Sequence, residues 1–285
     1  MPHHTYGYVL PQPSEIACLI LADLKPENIL ITVEDDKVVT DFVKAQPTHP
    51  MDWKATENGH IYVSHNRFGA ARRTYLIPKI ADFDTAQRGD GDRLFILPIQ
   101  TGQYRAPEVM LGAGWSYSAD IWSLGALMWN MLENRDLFNR PWHEKSGYNS
   151  QVHFAQMIDL LGPPPAALLK SAADGQEHTW SMKLRNARGE LSSKPVDFYG
   201  GPFFDDQGRF LYPKLLTGSK RLQDTIQSLS NEDREGFVNL ASKMLRWVPQ
   251  ERMTAKELLD HPWLDQSEEK RAYEESLAEK QSQPL

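Results

Sequence analysis

Asp23, Lys25 and Asn28 put a carboxylate, an ammonium and an amide within six residues, directly ahead of the apolar run Ile29-Leu30-Ile31. Such side chains can take up a proton, neutralise an anion and offer a neutral oxygen. A polar turn before a strand is commonplace, so the trio gains meaning only from its company. Asp82-Phe83-Asp84 closes a second strand candidate, Ile77 to Ala81. Thr101 and Ala106-Pro107-Glu108 follow, then Asp120 at the head of an apolar helical stretch, then Arg252 in Pro249-Gln250-Glu251-Arg252. The ordered set is far more specific than any member.

These residues need elements to hold them. Ile29 to Ile31 reads as a strand from its branched apolar residues. Ile121, Leu124, Gly125, Met128, Met131 and Leu132 recur at helical spacing, with Trp122 and Trp129 on adjoining faces. That broad apolar surface predicts a helix buried at a domain centre, capped by Ser116 or Ser118. Val152, Phe154, Met157, Ile158 and Leu161 predict a second helix, stopped by Gly162-Pro163-Pro164-Pro165. Ser230 with Asp233 gives a capping-box pattern ahead of Phe237, Leu240, Ala241, Met244 and Leu245; Thr254 with Glu257 repeats it. Residues 1–22 read as irregular apart from a short strand candidate in Ile16 to Leu21. Residues 34–77 are polar and aperiodic, with a short strand at Ile61 to Val63, and read as an insertion. Residues 266–285 form a charged tail.

The chain has 285 residues, 31 basic and 38 acidic, for a net charge of −7. That balance disfavours direct nucleic-acid binding and favours neutral or basic partners. A length of this order buries a core without disulfides or metals. Cys18 is the single cysteine, which excludes an internal disulfide or a cysteine zinc site, and it reads as a buried inert thiol. His3-His4 lack further ligands and do not make a metal site. No apolar run reaches membrane-spanning length, and residues 1–22 contain no Lys or Arg, so no signal peptide is expected there. A cytoplasmic or nuclear location without membrane attachment is expected. The tryptophans read as core and interface residues, and Asp35-Asp36 and Asp205-Asp206 as solvated loop charges that could also attract arginine-rich segments. Thr85, Thr101 and Tyr104 are hydroxyls placed where phosphate could be added.

The ordered motifs resemble the C-terminal lobe of a eukaryotic-type Ser/Thr protein kinase, over residues 23–265. The catalytic-loop pattern H-R-D-L-x-x-x-N appears as Leu21-Ala22-Asp23-Leu24-Lys25-Pro26-Glu27-Asn28, D-F-G as Asp82-Phe83-Asp84, and A-P-E intact at Ala106-Pro107-Glu108. Lys25 is similar to the serine/threonine class. Leu160-Leu161-Gly162-Pro163-Pro164-Pro165 is similar to the branch of cyclin-dependent, MAP and SR-protein kinases. Tyr104-Arg105-Ala106-Pro107-Glu108 with Trp115-Ser116-Tyr117-Ser118-Ala119-Asp120-Ile121-Trp122 is similar to the SR-protein kinases, and the insertion after Ile31 to their fungal members.

The resemblance implies an α+β, protein-kinase-like fold: a mainly helical C-lobe, 23–265, with the N-lobe missing and 34–77 inserted between catalytic loop and Mg-binding motif. It implies ATP and Mg²⁺ as cofactors and protein Ser/Thr as acceptor, with Arg/Ser-rich segments as candidate substrates. By resemblance, Asp23 orients the acceptor hydroxyl and takes its proton, while Lys25 neutralises the transferring phosphoryl. Asn28 and Asp82 hold Mg²⁺ through hard oxygens. Thr101 supports Asp23, Asp120 braces the catalytic-loop backbone, and Glu108 pairs with Arg252 as a structural ion pair.

The departures shape further expectations. Only 22 residues precede Asp23; they contain no lysine, and Gly7 is their one glycine. A glycine-rich loop and phosphate-anchoring lysine are therefore expected to be absent and the chain alone inactive. The helix at Asp120, lacking its usual partner, is expected to expose apolar surface. Ala22 replaces the arginine that receives an activation-loop phosphate. Asp84 replaces glycine, where an unusual φ would be strained. Three readings stay open: a phosphotransferase, a pseudokinase-type module for basic peptides or a kinase partner, and a truncated gene product.

Overall fold

The computed structural model describes residues 19–32, 36–63, 78–90, 93–143, 147–218 and 220–264. The expectations for Cys18, His3-His4, Asp35 and the charged tail lie outside them. The chain divides into two compact units: Met1–Asn28 with Asp82–Ala272, and Ile29–Ala81 with Tyr273–Leu285.

In the first unit, β1 (Leu19–Ile20) pairs antiparallel with β6 (Gln87–Arg88), and Ile20 is fully buried. The helices that follow are α2 (Pro107–Leu111), α3 (Ser118–Glu133), α4 (Ser150–Leu161), α5 (Ala166–Asp174), α6 (Pro195–Phe198), α7 (Asn231–Met244) and α8 (Ala255–Leu259). Their placement follows local chemistry. Pro107 opens α2, where its missing N–H costs nothing, and Gly112 ends it at φ +69°. Asn149 caps α4 by accepting from the Gln151 and Val152 N–H groups. Ser230 caps α7, and Thr254 with Glu257 forms a complete capping box on α8.

Helix α3 is the centre of the core. Its apolar stripe packs against α7, with Trp129 and Phe237 ring centroids 5.0 Å apart, and against the segment just after α3, where Phe138 stacks on Trp122 at 6.0 Å. Gly125 permits the close approach: a Cβ there would lie 3.0 Å from both Met244 and Leu245. Ile121, Trp122, Ala126, Leu127, Met128 and Trp129 are all buried, and Met131 is exposed. The expected exposed apolar face of this helix is therefore corrected, because α7, over a hundred residues downstream, covers it. The expected serine cap is corrected too. Tyr117 is the N-cap residue and makes no side-chain cap, while the Ser116 and Ser118 hydroxyls face each other at 3.3 Å.

In the second unit, β2 (Ile29–Ile31) pairs antiparallel with β5 (Pro78–Ile80), and β3 (Trp53–Thr56) with β4 (Gly59–Tyr62). It also holds α1 (Asp36–Ala45). The stretch read as polar and aperiodic thus contains a ten-residue helix and a hairpin.

Candidate active site

The catalytic-loop residues are positioned by backbone first. Ala22 sits in the left-handed region at φ +67°. The N–H groups of Leu21 and Ala22 donate to the two oxygens of Asp120, at 2.7 and 3.0 Å. Asp120 lies in the first turn of α3, where the helix dipole favours a carboxylate. Burial pushes its carboxyl up to about 6, against the pull of those two N–H groups.

Pro26–Asn28 form a single 3₁₀ turn, closed by Asn28 N–H donating to the Lys25 carbonyl at 3.0 Å. That turn brings Asn28 back to Asp23. The Asn28 amide nitrogen donates to the Asp23 carbonyl at 2.9 Å and lies 3.4 Å from its Oδ2. The Lys25 ammonium pairs with the same Oδ2, and Thr101 Oγ1 donates to Oδ1 at 3.0 Å. The hydrogen bond to Asp23 raises the proton affinity of Lys25 above its ordinary value; burial opposes this, and the charges of Asp23, Glu27 and Asp82 add to it. Lys25 is therefore a cation at every physiological pH.

Asp82 follows β5 and adopts φ +63°. Asp84 does not lie in the left-handed region, so the expected strain at that position is corrected: it falls on Asp82, which as an aspartate tolerates it. The sequence-predicted Asp23, Lys25, Asn28 and Thr101 make direct contacts, and the charge of Asp82 reaches Lys25.

Glu108 and Arg252 form a bidentate pair, 2.7 Å on each arm, with both side chains fully buried. Arg252 also donates to the Ser118 and Arg246 carbonyls at 2.8 and 2.9 Å. Tyr104 is buried, and its hydroxyl donates to Asn130 and Asp136 at 2.8 and 3.2 Å, so it is not a modification site in the folded chain. Asp205 is taken up by its own turn, accepting from the Gln207 and Arg209 N–H groups and pairing with Arg209 at 2.7 Å.

Two residues to which the sequence reading gave no role prove to be structural anchors. Arg105 lies between the rings of Tyr148 and Tyr199, 4.7 Å from each centroid, and donates to the carbonyls of Ile99 and Gln100. Gln100 is buried beside Thr101. The one signal was their place in the string Gln100-Thr101-Gly102-Gln103-Tyr104-Arg105.

Asn28 and Asp82 suit Mg²⁺ by donor chemistry. With its nitrogen committed to Asp23, Asn28 offers Oδ1, and Asp82 offers a carboxylate. Mg²⁺ takes one or two such protein oxygens and completes its octahedron with phosphates and water. No cluster of three or more His, Cys, Asp or Glu occurs among the described residues.

A buried α3 carboxylate thus braces a left-handed loop, beside an aspartate–lysine–asparagine turn and a buried Glu–Arg pair. A family model for the protein kinase domain matches residues 17–264, and the chain belongs to that family. A serine/threonine protein kinase of Aspergillus fumigatus is 30% identical over 234 residues, covering 81% of this chain and 51% of that protein. The serine/threonine-protein kinase AFC3 of Arabidopsis thaliana is 28% identical over 251 residues, covering 87% and 52%. A probable serine/threonine-protein kinase, sky1, of Dictyostelium discoideum is 33% identical over 173 residues, covering 61% and 23%. A crystal structure of a kinase domain superposes with TM-score 0.52 at 22% identity, covering 88% of this chain and 60% of that one, a likeness of fold. The chain spans about half the length of the first two relatives.

The family match opens at residue 17, ahead of Asp23. It corrects the expectation of a C-terminal lobe alone with the N-lobe missing. Strand β1 carries neither a lysine nor a glycine-rich loop, yet it belongs to the matched domain.

Proposed function

We propose, against the expectation that the chain alone is inactive, that it carries out Mg·ATP-dependent phosphoryl transfer to serine or threonine of protein substrates, with Arg/Ser-rich segments as preferred acceptors. The observation that carries the reading is the Asp23 carboxylate. One of its oxygens is held by Thr101, the other meets the Lys25 ammonium, and Asn28 closes the turn behind it. An acceptor hydroxyl at Asp23 would be oriented and would give up its proton there. Lys25, permanently charged, would offset the charge on the transferring group. Asn28 and Asp82 would hold Mg²⁺, which when bound neutralises phosphate oxygens. The preference for basic acceptors is supported by the net charge of −7 and by the SR-protein-kinase-like motifs around Tyr104 and Trp115.

The test is phosphotransfer from labelled ATP to an Arg/Ser-repeat peptide and to an acidic Ser peptide of equal length. Asp23→Asn should lower turnover by about 10²–10⁴-fold, the usual worth of a positioned acid–base group. Its thermal midpoint should stay near the parent's. Turnover in the parent that survives Asp23→Asn would overturn the assignment, and equal use of the two peptides would overturn the substrate class. Binding of the basic peptide with no transfer would leave the docking-module reading in its place.

A further inference from the structure

We infer that Gln100 is a positioning residue for the catalytic loop: its side chain locks a left-handed turn whose backbone N–H holds the Ala22 carbonyl, and with it the peptide that carries Asp23. The inference rests on the reading of Asp23 as the catalytic aspartate.

Gln100 is 7% exposed and has φ +66°, a conformation unfavourable for a residue with a Cβ. It persists because the surroundings over-determine it. The side-chain nitrogen donates to the Ala119 carbonyl and to Ser123 Oγ, both at 2.8 Å. The side-chain oxygen accepts from the Ala106 N–H at 2.9 Å. On the main chain, the Gln100 carbonyl accepts from Arg105 Nη2 at 2.7 Å, and its N–H donates to the Ala22 carbonyl at 2.8 Å. One residue therefore ties α3, the segment before α2 and the catalytic loop together.

Its partner Ala22 is also left-handed. The Ala22 N–H is held by Asp120 and its carbonyl by Gln100, so the residue ahead of Asp23 is fixed from both sides. The residue after Gln100 is Thr101, which bonds the Asp23 side chain. Gln100 thus governs both restraints on Asp23, one through the main chain and one through its neighbour's hydroxyl. Leucine would fill the same space with none of the side-chain bonds. Glycine would relieve the backbone strain and also lose them. The pair separates the side chain's hydrogen bonding from the mere need for a left-handed φ.

The experiment is amide hydrogen exchange on the full chain as parent, Gln100→Leu, Gln100→Gly and the milder Ser123→Ala, which removes one acceptor. Exchange at Gln100 and Ala22 should rise at least about tenfold in Gln100→Leu and Gln100→Gly and by less in Ser123→Ala, with the interior amides of α3 unchanged. Full protection in Gln100→Gly would overturn the inference, since backbone conformation alone would then set the pin. Uniformly faster exchange across α3 in all three variants would also overturn it, as a general loss of stability. In parallel, phosphotransfer by Gln100→Leu should lose kcat by about tenfold or more with KM for ATP within about twofold. A loss confined to KM would refute the positioning role. A parent without turnover would refute the proposed function while the exchange data still decide the pin.

Discussion

At the residue scale, the site depends on which groups keep their charge. Asp120 is the informative one, because its two jobs respond oppositely to pH. Its folded carboxyl titrates near 6, above the ordinary value of 3.8, chiefly through burial. Between those two values the folded chain keeps a proton that the unfolded chain has lost. The stability Asp120 contributes is therefore present below about 4, declines as pH rises towards 6, and is flat above. The loop responds the other way. The ionised carboxylate makes stronger charge-assisted bonds to the Leu21 and Ala22 N–H groups than the neutral acid does. Exchange of those two amides, corrected for its intrinsic pH dependence, should slow as pH rises through about 6. Asp120→Asn should abolish that dependence and leave the loop less protected, because one acceptor oxygen is replaced by a donor. A parent whose Leu21 and Ala22 protection is flat from pH 5 to 7 would show that Asp120 stays ionised throughout.

At the element scale, the Glu108–Arg252 pair joins the start of α2 to the segment after α7. Neither side chain reaches solvent, and the guanidinium also lies 5.0 Å from the Trp122 ring centre. Arg252→Met should cost about 3–5 kcal/mol, because it strands a buried carboxylate. Adding Glu108→Leu should restore part of it, with a coupling of about 0.5–3 kcal/mol in a urea double-mutant cycle. Strict additivity would mean that the two residues do not act as a pair. This contact was legible in the sequence because A-P-E and the late arginine are family signposts, as were the Asp23 turn and the strands at Ile29 and Pro78. What was not legible depends on distance along the chain. No local pattern around Gly125 announces that Met244 and Leu245 close over it. Nor does the string at Gln100 reveal partners at Ala119 and Ser123. Helix α1 was missed for another reason. Val39 and Val43 have helical spacing but stay exposed, and the polar residues around them outweighed the stripe.

At the scale of the whole molecule, apolar burial is unevenly distributed. The unit that includes α3 and α7 holds Trp122, Trp129, Phe154 and Phe237 at almost no exposure. In the unit of 29–81, every residue of β3 and β4 is exposed. Their register sets Trp53 opposite Tyr62 and Ala55 opposite His60, so Trp53, His60 and Tyr62 share one face, with the Trp53 and His60 rings 4.4 Å apart. Cross-strand aromatic pairs help such a ribbon, but a lone two-stranded hairpin is marginal in water. The hairpin should therefore open separately. Amides of β3 and β4 should exchange by local opening, with low protection that is insensitive to urea below the global transition. Interior amides of α3 should exchange only through global unfolding, with protection that falls steeply with urea. Replacing Trp53 by Ala should lower hairpin protection further and leave the α3 amides untouched. Equal protection and equal urea dependence in hairpin and helix would refute this, and would mean that the chain unfolds as one cooperative body despite the exposure of its hairpin.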